Sequence, residues 1–247
     1  MLQSILHGKV PSVLVRSEDV LTSSVFGLLS YISSPALLVD MLAQVEPVLG
    51  ERPFQVKPVT QVEFHFWPRL HTSEPDLVLV FCHEDDTYTL TAIEAKYLSP
   101  KSSLEKWEVP AEDRSAAGRD QLVKQMQDLQ LLETRRLFAI PEKAAVQYAM
   151  YYVTNDHIAP GTDLNETIRA MPKDLAMSMT LAWFDWAYIY EAVLRDRKRS
   201  LQDEKIKRDL KQLCESLEFT RFGGFRHIKS VQKATWKIAE GERKKQG

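Results

Sequence analysis

The chain has 247 residues, 44% hydrophobic and 27% charged, with a net charge of −2 at pH 7. This length and composition suit one large globular domain and exclude a disordered or low-complexity chain. Charges interrupt the apolar runs before the roughly 18 residues of a membrane span, and we expect neither a signal sequence nor a membrane partner. The two cysteines, Cys82 and Cys214, form no CxxC pair. This disfavours zinc ribbons and disulfide frameworks, and predicts a reducing, cytoplasmic location.

Charge is distributed unevenly along the chain. Residues 1–194 hold 16 Lys and Arg against 26 Asp and Glu, whereas residues 195–247 hold 16 against 8. We therefore predict a core domain over 1–194 and a basic helical extension over 195–247, packed on the core, where a polyanion docks. The alternative is that the basic runs 195–199 and 205–211 are only the solvated faces of helices.

Two helices are predicted near the start of the chain. Apolar residues recur at helical spacing from Leu21 to Ile32, and Ser17 suits the N-cap position before them. Glu18 falls in the first turn, where the helix dipole stabilises an acidic side chain by about 0.3–1 kcal/mol whatever the protein does. A second helix is predicted from Ser34-Pro35 to about Val48, with proline in the permitted first position.

A β-hairpin is predicted next. The alternating segment Gln61–Trp67 reads as a strand that leads into two apolar strands, Leu77–Phe81 and Tyr88–Ile93. The acidic turn His83–Asp86 joins the last two, a pattern typical of a hairpin.

Carboxylates stand at the open end of this hairpin. Asp76 precedes the first strand, and Glu94 ends the second strand 18 positions later. Glu94 and Lys96 share one face because side chains alternate along a strand. Two carboxylates and one ammonium group therefore converge beyond an apolar sheet. Such oxygen ligands suit Mg²⁺ or Mn²⁺, which bind through one or two carboxylates and keep waters.

Pro75-Asp76 and Glu94-Ala95-Lys96, placed around an apolar hairpin, resemble the core motif of the PD-(D/E)XK nuclease superfamily. The letters recur in Asp209-Leu210-Lys211 and Glu242-Arg243-Lys244, but neither of these triplets ends an apolar strand. The resemblance implies a restriction-endonuclease-like fold and metal-dependent hydrolysis of phosphodiester bonds, with DNA as the expected substrate. It implies that Asp76, Glu94 and the Ala95 carbonyl hold the metal, and that Lys96 orients or deprotonates the attacking water.

The resemblance also implies roles outside the hairpin. Many relatives carry an acidic metal ligand on the first helix, which makes Glu18 the candidate third carboxylate. The segment GRDQLVKQ, residues 118–125, looks like the helix that follows the motif, with Gln121 and Lys124 as candidate contacts to the substrate phosphate. The alternative is an ordinary polar helix face, which also carries Gln125 and Asp128.

The remaining elements alternate between helices and strands. After a loop over 98–118, whose Trp107 is available to stack on a base or to pack, a helix begins at Gly118. Its apolar stripe comprises Leu122, Met126, Leu129 and Leu132. Strands are predicted at Val146–Val153 and Met177–Phe184, with a loop over Asn155–Asp163, and Asp185 caps a helix through Leu194. This order predicts an α/β fold with a mixed central sheet between helices, an α/β/α sandwich.

Two later segments complete the chain. The aromatic residues Trp183, Trp186, Tyr188 and Tyr190 suit a base-stacking platform, but their spacing favours burial in the core. An amphipathic helix with Ile206, Leu210, Leu213 and Leu217 leads to Gly223-Gly224. The closing helix and this glycine pair also look like those of small nuclease-like proteins from bacterial anti-phage defence loci, which implies other defence subunits as partners.

Two other functions are kept open. The first is a catalytically inactive nuclease-like subunit of a defence complex that binds nucleic acid or assists assembly. Crowded charges at Asp76 and Glu94 count against it, because they cost of the order of 1 kcal/mol or more unless a cation neutralises them. The second is an α/β interaction protein with a chance EAK triplet. Nucleotide hydrolysis is disfavoured because GxGxxG and GxxxxGK[ST] are both absent.

Overall fold

The computed structural model describes residues 17–54, 58–97, 120–197 and 200–221, together with Leu6 and Lys9. Several predicted features lie outside the described residues: Trp107, Gly118, Gly223-Gly224, the Glu242-Arg243-Lys244 triplet and the extension beyond residue 221. None of the helices in the described ranges combines the length and the apolar character needed to span a bilayer.

Helices and strands alternate along the described residues. The helices are α1 (Glu18–Ser30), α2 (Ala36–Ala43), α3 (Gln121–Leu129), α4 (Leu132–Leu137), α5 (Gly161–Ala170), α6 (Lys173–Ser178), α7 (Trp186–Arg195) and α8 (Leu201–Ser216). The strands are β1 (Pro47–Leu49), β2 (Val59–Phe66), β3 (Leu77–His83), β4 (Tyr88–Ala95), β5 (Val146–Thr154) and β6 (Met179–Asp185).

The six strands form one mixed sheet in the order β1-β6-β5-β4-β3-β2. Strands β4, β5 and β6 are parallel, whereas β1, β2 and β3 pair with their neighbours antiparallel. The predicted hairpin is β3–β4, and the predicted mixed α/β sheet is confirmed. The carboxyl ends of the parallel strands lie along one border of the sheet, which we call the sheet edge. Strand β3 begins there because it runs in the opposite direction.

The central strands are buried on both faces, which explains their nearly continuous apolar sequences. Leu77, Leu79 and Phe81 belong to one hydrophobic core, whereas Val78 and Val80 belong to the other. Helices α1, α2, α7 and α8 cover the first core, and α3, α5 and α6 cover the second. Helices therefore lie on both faces of the sheet.

The predicted second helix was too long. It ends at Ala43, and Pro47–Leu49 forms the outermost strand, β1, which pairs with β6. Proline lacks the backbone N–H that a helix interior needs and disfavours helical geometry in the preceding residue, so Pro47 stops the helix. Ser17 precedes α1 as predicted, but its side chain makes no capping hydrogen bond.

Three boundaries in the second half also differ from the predictions. Helices α5 and α6 were not predicted. Helix α5 overlaps the end of the predicted loop Asn155–Asp163, and α6 includes the first two residues of the predicted strand, so β6 begins at Met179 rather than Met177. Leu132 is exposed, not buried, because the chain turns after Leu129 and starts the separate helix α4. The side chain of Asp120 caps α3 by accepting from the N–H groups of Leu122 and Val123.

Asp185 caps α7 as predicted, because its side chain accepts from the N–H of Tyr188. Trp186 is fully buried and stacks on Phe219, with ring centroids 5.8 Å apart. Trp183, Tyr188 and Tyr190 are partly buried and pack against the two cores. The core interpretation of these aromatic residues is therefore confirmed.

Helix α8 is fixed to the core partly through charge. Asp203 accepts from the Ser33 N–H at 2.9 Å and from Ser33 Oγ at 2.6 Å. Lys207 is buried with its Nζ 2.9 Å from Asp196 Oδ2, whereas Lys205 and Arg208 are exposed. The basic run 205–211 is therefore only partly a solvated face, and its docking of a polyanion stays a prediction.

The segment between β2 and β3 is fixed by Asp128 of α3. This buried carboxylate accepts from the Thr72 N–H at 2.7 Å, from Thr72 Oγ1 at 3.0 Å and from Ser73 Oγ at 2.7 Å. Since the segment leads into β3, Asp128 ties α3 to the start of that strand.

We expect Asp128→Asn to lower the free energy of unfolding by about 1.5–3 kcal/mol, because the amide replaces a charged acceptor whose oxygens receive several hydrogen bonds. Urea unfolding measures this change. Asp40→Asn is the matched control, because Asp40 is an exposed aspartate on α2. Equal effects of the two substitutions would contradict a structural role for Asp128.

Candidate active site

The hairpin brings Asp76 and Glu94 to the same end of neighbouring strands. Leu77 pairs with Ile93, so the next residues outward, Asp76 and Glu94, face each other across β3 and β4. Both are buried, and Asp76 Oδ2 accepts from the Ala95 N–H at 2.8 Å. The predicted proximity of the two acidic residues is therefore confirmed.

Three side-chain donors hold the Glu94 carboxylate. Oε1 accepts from Lys96 Nζ at 2.6 Å and from Gln121 Nε2 at 2.7 Å, and Oε2 accepts from Gln125 Nε2 at 2.7 Å. Glu94 is only 2% exposed. Because β4 and α3 both supply donors, the position of this carboxylate depends on how the helix docks on the sheet.

Lys96 connects this carboxylate to α1. Its Nζ lies 3.0 Å from Glu18 Oε1, so the predicted convergence of Glu18 with the hairpin residues is found. The contact is an ion pair with Lys96, and the role of Glu18 as a metal ligand stays a prediction. The Lys96 backbone is fixed as well, because its carbonyl accepts from Trp186 Nε1 at 3.1 Å.

Of the two candidate phosphate contacts on α3, Gln121 reaches the site, where it contacts Glu94 rather than open solvent. Lys124 is partly buried and shows no hydrogen bond to Asp76, Glu94 or Lys96. Its role at a phosphate, like that of Gln121, stays a prediction.

Gln125 is the site residue that the sequence analysis did not single out. It is buried, and its Oε1 has no hydrogen-bond partner in the described ranges. The spacing of four residues between Gln121 and Gln125 was the available signal, since such residues share a helix face.

Burial and crowding oppose ionisation of both acidic residues. Burial, followed by the charge of Glu94, raises the pKa of Asp76 to about 7. Burial also raises the pKa of Glu94, although Lys96 and Gln125 oppose this effect. Asp76 and Glu94 are therefore two buried carboxyl groups at the ends of neighbouring strands. Lys96 compensates only part of their negative charge.

Lys96 keeps its proton in this environment. Burial acts to lower its pKa, but the charges and hydrogen bonds of Glu94 and Glu18 outweigh burial, and its pKa lies above the ordinary lysine value. A general base needs a pKa near the working pH, so the site favours an orienting role for Lys96 over deprotonation of water.

The fit of a divalent cation depends on Asp76 and Glu94. Within the described ranges, no group of three or more His, Cys, Asp or Glu side chains has the arrangement of a metal site. Mg²⁺ needs only one or two carboxylates together with waters. The donor chemistry of the pair fits such an ion, and a divalent charge would relieve the crowding that raises the pKa of Asp76.

Comparison of the chain with protein-family models, with curated proteins and with solved structures finds no match. Functional inference therefore rests on the residues of the site.

The raised pKa of Asp76 predicts a pH-dependent stability. The folded protein holds this proton more tightly than the unfolded chain, whose pKa is near 3.8. The stabilisation is complete below that value and is lost as pH rises to 7 and beyond. Asn carries no charge and keeps an oxygen for the Ala95 N–H. We expect Asp76→Asn to stabilise the protein by about 1–3 kcal/mol more at about pH 8 than at about pH 5.

Urea unfolding at the two pH values measures this difference. Asp40→Asn serves as the control on an exposed helix face, and its effect is expected to be the same at both. An effect of Asp76→Asn that does not change with pH would show that the carboxyl group titrates normally.

Proposed function

We propose that the chain is a metal-dependent nuclease that hydrolyses phosphodiester bonds, with DNA as its substrate. The observation that carries this proposal is the buried pair of carboxylates, Asp76 and Glu94, facing each other beside Lys96 at the edge of the sheet. Such a pair is costly without a cation, and its oxygen ligands suit Mg²⁺ or Mn²⁺.

Asp76 and Glu94 would hold the ion, and the Ala95 carbonyl is the third oxygen that the family resemblance assigns to it. When bound, such an ion lowers the pKa of a coordinated water and offsets charge that develops on the phosphate. The Ala95 N–H fixes one oxygen of Asp76, and the two glutamines of α3 fix Glu94. Lys96, held in its charged form, orients the attacking water and stabilises negative charge in the transition state.

The same proposal includes membership of the PD-(D/E)XK superfamily and its restriction-endonuclease-like fold. It is supported by the motif residues at the ends of β3 and β4, by the mixed sheet, and by Glu18 meeting Lys96. A cytoplasmic location, a polyanion-docking extension over 195–247 and partner subunits of a defence system belong to this proposal too.

One observation favours the alternative of an inactive nuclease-like subunit. Both oxygens of Glu94 already accept hydrogen bonds, from Lys96, Gln121 and Gln125. A carboxylate satisfied in this way does not require a cation for its own hydrogen bonding. A protein of this kind would bind nucleic acid or assemble with partners but leave phosphodiester bonds intact.

Cleavage assays separate the two functions. We expect cleavage of plasmid, linear or single-stranded DNA with Mg²⁺ or Mn²⁺, and at least about a hundredfold loss of rate in Asp76→Asn and Glu94→Gln. Asp209→Asn is the matched control, because Asp209 begins the Asp-Leu-Lys triplet on α8 and has no described hydrogen bond or ion pair to Asp76, Glu94 or Lys96. We expect this variant to cleave at the wild-type rate. Metal-independent DNA binding without cleavage would support the inactive subunit.

Metal binding itself is measurable without turnover. We expect Mn²⁺ or Mg²⁺ to raise the melting temperature of the wild-type protein, since a ligand that binds only the folded state stabilises it by about 2.7 kcal/mol at a hundred times its Kd. Asp76→Asn and Glu94→Gln should lose this increase, and Asp209→Asn should keep it. A melting temperature insensitive to both ions would contradict metal binding at this pair.

A further inference from the structure

A second polar cluster, which we call the Asp185 cluster, lies where β6 ends. It consists of Asp185, His157 and Arg221. Asp185 is 1% exposed, whereas the side chains of His157 and Arg221 are 63% and 44% exposed. His157 Nδ1 lies 3.2 Å from Asp185 Oδ2. Arg221 donates from Nη2 to Oδ1 at 2.7 Å and from Nε to Oδ2 at 3.3 Å. A buried carboxylate therefore holds two exposed nitrogen-bearing side chains in fixed orientations.

Both side chains keep nitrogen atoms that Asp185 does not contact. Nη1 of Arg221 lies 3.6 Å from Glu191 Oε2, which is too long for a hydrogen bond. The Nε2 atom of His157 has no hydrogen-bond partner within the described ranges. With Nδ1 directed at Asp185, Nε2 is the outward ring nitrogen of His157, and it donates to an anion when the imidazole is protonated. The outward surface of the cluster therefore offers a guanidinium edge and an imidazole edge to an anion.

The cluster lies beside the candidate active site. Asp185 is aligned with Thr154 at the ends of the parallel strands β6 and β5, and β5 separates β6 from β4. Two strand spacings amount to roughly 10 Å between the ends of β4 and β6. Trp186, which follows Asp185, donates to the Lys96 carbonyl and stacks on Phe219, two residues before Arg221. Buried contacts thus fix the cluster relative to Lys96.

We propose that His157 and Arg221, oriented by Asp185, bind a phosphate of the polynucleotide a few nucleotides from the bond that is cut. Because each nucleotide advances 3.4 Å along the axis of a duplex, roughly 10 Å is covered within about three nucleotides. The proposal deepens the proposed function, because it takes a polynucleotide as the ligand of the sheet edge.

Glu191 sets the strength of this contact. Its carboxylate faces the same Nη1 group that would meet the phosphate, and like charges at that point repel. Removal of the Glu191 charge should therefore strengthen binding of an anion, an effect that a purely structural cluster would not produce.

The test measures fluorescence anisotropy of labelled single-stranded and duplex DNA, with an RNA of the same sequence as a further probe, in EDTA so that the probe stays intact. We expect His157→Ala and Arg221→Ala each to weaken binding about tenfold. Arg221→Ala should also lower the slope of log Kd against log salt by about 0.7–0.9. Glu191→Gln should bind about two- to fivefold more tightly than the wild type.

Matched controls come from the opposite edge of the sheet. Arg136 is an exposed arginine that donates to Glu142, in the segment before β5 begins. Arg136→Ala and Glu142→Gln should leave affinity and salt slope unchanged. Melting temperatures identify any variant that loses binding through unfolding, and His157→Ala and Glu191→Gln remain informative if Arg221→Ala is unstable.

The outcomes separate this proposal from the nuclease proposal. If the wild type binds a probe but His157→Ala, Arg221→Ala and Glu191→Gln bind it equally well, the phosphate contact is wrong and the nuclease proposal stands. If the wild type binds none of the probes, the phosphate contact and the polynucleotide substrate both fail. Loss of cleavage in Asp76→Asn with binding changes confined to the cluster variants supports both.

Discussion

The buried ion pair between Glu94 and Lys96 is the interaction on which the candidate site depends. Its Oε1–Nζ distance of 2.6 Å brings a carboxylate and an ammonium group together at the end of β4, where burial penalises both charges. The neighbouring helices then each contact one of these two residues. Helix α3 supplies two amide donors to Glu94, α1 supplies the Glu18 carboxylate to Lys96, and Trp186 of α7 binds the lysine carbonyl. Elements from both faces of the sheet meet at these two residues.

Asp76 is the member of the site that this network compensates least. Its carboxylate receives one backbone hydrogen bond and faces Glu94, which is why its pKa rises to about 7. A protein under selection for stability alone would gain from a neutral residue at this position. An acid at this position is consistent with a ligand that carries positive charge, and this connects the electrostatics of the site to the proposed chemistry.

The local part of the site was predictable from sequence, and the long-range part was not. Two apolar runs and the acidic turn between them define β3 and β4, and strand geometry alone then places Asp76 opposite Glu94. The approach of Glu18 followed from the family resemblance rather than from spacing. Gln125 was placed on the polar face of this helix but not assigned to the site, because the docking angle of α3 decides which of its polar residues face the sheet. Helices α5 and α6 were missed because they are short and bury few side chains, Leu164 and Thr167 in α5 and Leu175 in α6. Strand β1 was missed because its partner lies more than 130 positions away.

From the separation of the paired strands along the chain, we expect an order in which the protein assembles. The β3–β4 hairpin closes a loop of only a few residues, whereas β1 and β6 join segments far apart in the chain. Short closures cost the least conformational entropy and form first, and contacts of high contact order form late. We therefore expect closure of the β3–β4 hairpin, which costs little conformational entropy, to bring the two acidic residues together before the distant elements dock against them. We then expect solvent to screen the repulsion between the two carboxylates early in folding. The electrostatic cost of the site would arise when the chain completes its packing, not when folding begins.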